Sequence, residues 1–83
     1  MAETSGLVQR LSILTDTITC VWIGPTPDNT EILLVTNDGT ALDAAFATSM
    51  IQALASASTN YRAVVAVHDD PDATITSVRV EPL

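Results

Sequence analysis

Lysine is absent from this 83-residue chain, and three arginines stand against ten carboxylates, for a formal net charge of -7. Nucleic acids and anionic membranes hold proteins mainly through basic side chains, so a surface this acidic repels both. A neutral or cationic partner is expected instead, with no nucleic acid and no membrane insertion. Cysteine is nearly absent too: Cys20 stands alone, and no internal disulfide can staple the domain. The aromatic side chains are Trp22, Phe46 and Tyr61. No apolar run is long enough to span a bilayer, and the opening MAETSGLVQR lacks the basic start and apolar middle of a secretory signal. The expectation is a cytoplasmic chain, with a secreted mature form as the alternative.

What the chain does have is Leu, Ile and Val in short runs. Residues 1–6 are expected to be a flexible lead to a single domain. Leu7 to Thr15 alternates as a strand, with Leu7, Gln9, Leu11 and Ile13 on one face. Thr17 to Gly24 is a second strand, rich in β-branched and aromatic residues. GPTPDN is a loop by its chemistry, since Gly24, Pro25, Pro27, Asp28 and Asn29 all favour turns. Thr30 to Thr36 is the third strand. Thr40 then stands at a helix N-cap, with Asp43 as an imperfect capping box. The helix runs from Ala41 to Ser58 and sets Leu42, Phe46, Met50, Ala53 and Ala57 at helical spacing. Tyr61 to Asp69 and Thr74 to Glu81 give two final strands.

This β-β-β-α-β-β order is mainly β with one helix. One helix supplies at most one crossover, which excludes an all-parallel sheet. Five short strands protect their edges best by curling, so the expected fold is a small Greek-key barrel of the oligonucleotide/oligosaccharide-binding type, its helix between strands three and four. The alternative is an open antiparallel α+β sheet with the helix on one face.

With CVW at Cys20 to Trp22 and the helix after strand three, the chain resembles the receptor-binding B subunits of multi-subunit bacterial toxins. That resemblance implies a closed ring, often five-membered, with edge strands paired between neighbours and helices facing inward. The chain departs from those secreted, disulfide-linked subunits in its lone Cys20 and the absence of an export signal at its start. Self-association is also expected from the residues themselves. So small a domain buries little surface, and Glu31 to Val35 and Arg62 to Val67 are apolar on both faces. The expected interface is Leu33, Val65 and a helix side of Ala44, Ala47, Ile51 and Ala55.

For ligands, Trp22 weighs as core or interface packing against a stacking platform, with Pro25, Thr26, Asp28 and Asn29 completing a sugar-binding surface. HDDPD offers Asp69, Asp70 and Asp72 beside His68 as weak metal candidates, but the spaced oxygens, glycine and distal glutamate of a calcium loop are missing. Crowded carboxylates there would weaken one another's ionisation. A nucleophilic pair would have to be Cys20 with His68, and Cys20 lies in an apolar strand where a thiol is inert. No phosphate loop, zinc spacing or dinucleotide fingerprint is present. No cofactor and no catalysis are expected. Arg10, Arg62 and Arg79 are expected to pair with carboxylates such as Glu31 or Glu81. The chain reads as a non-catalytic, self-assembling module, with a glycan-binding subunit as the alternative and a protein partner also open.

Overall fold

The first strand begins in residues whose side chains give no strand signal. The computed structural model describes residues 2–69 and 73–81, and β1 (Ala2–Ile13) takes in nearly all of the polar lead. Backbone pairing needs no apolar side chain, and Ala2 to Leu7 pairs antiparallel with β4 (Ala63–His68). From Leu7 onward β1 changes neighbour and pairs with β2 (Ile18–Thr26). Gly6, at φ 142°, stands at this changeover, where a Cβ would press on the Gly24 backbone at 2.9–3.1 Å. Two glycines therefore let the strands cross closely.

A second irregularity resets the faces of β1. The register shifts between Val8 and Arg10, leaving Gln9 as an extra residue. Val8 and Leu11 thus face inward together and Arg10 faces outward, replacing the expected row of Leu7, Gln9, Leu11 and Ile13. The GPTPDN loop also contracts: only Pro27 and Asp28 form the turn, because Pro25 and Thr26 belong to β2 and Asn29 opens β3 (Asn29–Thr36). Pro25 is tolerated since pairing is irregular between Ile23 and Thr26.

The helix α1 (Ala41–Thr59) follows β3, and its N-cap is Thr40. Half of the expected capping box forms, with Asp43 N–H donating to Thr40 Oγ1 at 3.4 Å, but the Asp43 carboxylate does not return to Thr40 N–H. Its Oδ2 accepts from Asp38 N–H at 2.8 Å, while Asp38 Oδ1 accepts Thr40 N–H at 2.9 Å and the Thr40 hydroxyl at 2.7 Å. The helix ends at Thr59 with Asn60 as its C-cap, and Tyr61 after it adopts left-handed φ 55° where strand four was expected to begin. The buried face is Ala47, Met50, Leu54 and Ala57, rotated from the expected row, so Leu42 and Phe46 lie outside it.

The five strands run β3-β2-β1-β4-β5, with β5 at Ile75–Val80 and every neighbouring pair antiparallel. The sheet does not close into a barrel. Among the described residues β3 meets the segment leading into β5 at a single parallel bridge, Leu34 with Thr74, where Leu34 N–H donates to Ala73 O at 2.9 Å. The reason is overlap: β5 begins beside Leu34, and β3 ends at Thr36. The arrangement is the open sheet with one helix. Val21, Ile23, Leu33, Val35, Val64 and Ala66 point into a core that α1 covers through Leu54. At roughly 25 cal/mol per Å² of apolar area, this layer of β-branched and leucine side chains is the main favourable term.

Candidate functional site

Inward and outward alternation decides what each expected site residue does. Leu33 is fully buried and Ala47 nearly so, both in the protomer's own core, so neither is left to meet a partner. Ile51 packs against that core, and Val65 is buried between its strand neighbours Ser5 and Arg79. Of the expected interface, Ala44 is half-buried and Ala55 exposed. Trp22 is not core. The inward residues of β2 are Thr19, Val21 and Ile23, which puts Cys20 and Trp22 on the outer face, both half-buried.

Arg10 lies over the Trp22 ring, its guanidinium carbon 4.9 Å from the centroid. The indole therefore has at most one open face for stacking. Pro25, Thr26, Asp28 and Asn29 are exposed around the hairpin tip. Pro25 and Asn29 line a groove of about 390 Å³ with Glu3, Ser5 and Thr30, and Trp22 takes no part in it. The platform and the loop expected to work together are separated.

A cluster not read from the sequence closes the end of the sheet. His68 is 6% exposed, Thr4 Oγ1 lies 2.9 Å from its Nε2, and Glu31 Oε2 lies 3.4 Å from the same nitrogen. The Thr4 hydroxyl donates to Glu31, and Nδ1 lies 3.0 Å from Asp69 O. A carbonyl only accepts, so Nδ1 carries hydrogen. An activated hydroxyl nucleophile and its orienting carboxylate need opposite ring nitrogens, whereas here both approach Nε2. The trio is a clasp joining β1, β3 and β4. Thr4 gave no signal because it sits in the polar lead; His68 was singled out, with other partners.

Cys20 and His68 are not brought together, since one faces outward and the other inward. Asp69 is exposed, Asp70 and Asp72 lie outside the described residues, and among the described residues no group of three or more His, Cys, Asp or Glu is placed to hold a metal. Arg79 does pair with Glu81, at 2.9 Å, an exposed contact worth little. Arg10 takes Trp22 instead of a carboxylate, and Arg62 lines a groove at the helix end with Asn60 and Val80. Among the described residues no helix is long and apolar enough to cross a membrane.

The exposed apolar side chains are the second feature the sequence hid. Ile18 and Ile32 stand on the outer sheet face beside Trp22, and Leu42 and Phe46 stand on the helix flank at 85% and 51% exposure. Leu42 and Phe46 line a groove of about 500 Å³ with Asp38, Thr40 and Asp43. Comparison with protein-family models, curated proteins and solved structures gives no match for this chain.

Proposed function

We propose that the protein acts by assembly, as a non-catalytic module whose copies join edge to edge through the two ends of the sheet. The observation that carries this is a pair of unlike open edges. In β5, Glu81 N–H bonds to Ala63 O, so by alternation Val78 and Val80 turn their backbone groups away from β4. In β3, Leu34 turns its N–H away from β2, and Ile32 shares that direction. Among the described residues the outward groups of Ile32, Val78 and Val80 have no backbone partner.

Unpaired edges template pairing with another chain, and unlike edges pair head to tail, which yields a ring when the rotation closes. The ring implied by the toxin-subunit resemblance is the same arrangement. Ile18, Ile32 and the open face of Trp22 add apolar surface along the β3 side. Native mass spectrometry of the intact chain at micromolar concentration tests this. The expected result is a single oligomer that dissociates in Ile32→Lys, which places a charge on the edge without touching the core. A monomer in the parent chain overturns the reading.

A further inference from the structure

Leu42 and Phe46 belong to α1 and not to the edge strands β3 and β5. These residues sit one helical turn apart and share one side of the helix. Their exposure, 85% and 51%, is large for side chains of this kind. Large exposed apolar patches with a polar rim mark interaction sites.

The rim has one sign. Asp38 and Asp43 line the same groove, and no arginine lies on α1 in this lysine-free chain. Both carboxylates are fixed in place by the N-cap network, through Asp38 Oδ1 and Asp43 Oδ2. The remaining oxygens, Asp38 Oδ2 and Asp43 Oδ1, accept no hydrogen bond among the described residues. Hydrogen bonds from Thr40 hold the Asp38 carboxyl below its usual range, so it stays charged under mildly acidic conditions.

We infer that the Leu42–Phe46 groove binds a basic amphipathic segment of a partner protein, with an aliphatic or aromatic anchor between the two side chains and lysine or arginine against Asp38 and Asp43. Two copies meeting flank to flank are a poor arrangement, because each would bring the same carboxylates to the same rim. Helix-in-groove binding with charged flanks is a common form of peptide recognition, and rim charges add specificity and speed of encounter.

The test uses the intact chain and two fluorescein-labelled helical peptides with the same leucine positions, one with lysine and one with glutamate at every polar position. Fluorescence anisotropy should show saturable binding of the lysine peptide alone, weakened by salt. Phe46→Ser should weaken binding by about tenfold, as loss of an anchor does. Asp43→Asn should weaken it by roughly threefold and flatten the salt dependence. Circular dichroism checks that Phe46→Ser keeps the fold, and backbone amide shifts on titration should centre on residues 38–49 of the sequence. Equal binding of both peptides, or an unchanged affinity in Phe46→Ser, overturns the proposal. So does an oligomer that Phe46→Ser dissociates, which would assign the flank to self-association.

Discussion

The guanidinium of Arg10 stacks on Trp22 because Gln9 is an extra residue in β1. Without that insertion Arg10 and Trp22 would not share the outer face, since the shift in register after Val8 is what sets Arg10 opposite Trp22. Gln9 itself is tied down by its side-chain amide, which donates to Gly24 O at 3.0 Å. One bulge thus covers one face of the only tryptophan.

Arg10→Ala should therefore lose about 0.5–1 kcal/mol of stability, the size of an exposed cation–π contact. Its tryptophan emission should shift to the red and become more sensitive to iodide. Because Trp22 is the sole tryptophan, the signal is unambiguous. Emission and quenching identical to the parent chain would count against the stack in solution.

The glycines differ in what they permit. At Gly24 a Cβ would land on the carbonyl oxygen of Asn29, and both groups are strand backbone. Gly24→Ala should cost about 3 kcal/mol, near the upper end for overpacking. Gly39 has φ +88° and nothing within 4 Å, so Gly39→Ala should cost only the strain of the dihedral, about 1 kcal/mol. Urea unfolding of the two variants gives the comparison; the reverse order of stability would mean that the strand crossing relaxes easily.

Leu54 and Leu42 separate the two sides of the helix. Leu54 is fully buried, and Leu54→Ala should lose about 2–5 kcal/mol. Leu42→Ala should stay within about 0.5 kcal/mol of the parent, as exposed substitutions do. Thermal melts suffice to measure both, and a large loss at Leu42 would restore it to the core.

Acid should act on the N-cap. The Asp38 carboxyl is held below the ordinary aspartate value of 3.8, chiefly by the Thr40 hydroxyl and next by the Thr40 backbone N–H. A carboxyl depressed in the folded state adds stability above its unfolded value and loses that contribution as pH falls through the folded one. Below roughly pH 4, the stability of Asp38→Asn should fall less steeply than that of the parent chain. Urea midpoints collected across that range decide it, and parallel curves would remove Asp38 from the acid response.

The element order could be read directly from the chain, because β-branched runs, the Thr40 cap and the helix formers after it are local signals. The open-sheet alternative was legible for the same reason. The candidate site was less so. Strand alternation puts Trp22 on one face with Ile18 and Cys20, but which face turned inward depended on pairing with β1 and β3. The helix row Leu42, Phe46, Met50 was a plausible core stripe by spacing alone. The sheet instead selected Ala47, Met50, Leu54 and Ala57, a rotation of the helix that spacing alone could not settle.

By itself the sequence determined the count and order of the elements, the absence of an internal disulfide and the net negative charge. These follow from local propensity and composition, which act before any long-range contact forms. Only the tertiary structure decided that residues 2–6 join the sheet, that Arg10 covers Trp22, that Thr4, Glu31 and His68 meet, and that Leu42 and Phe46 remain outside. Each of those depends on strand register and helix rotation, and a shift of one residue in either exchanges buried side chains for exposed ones.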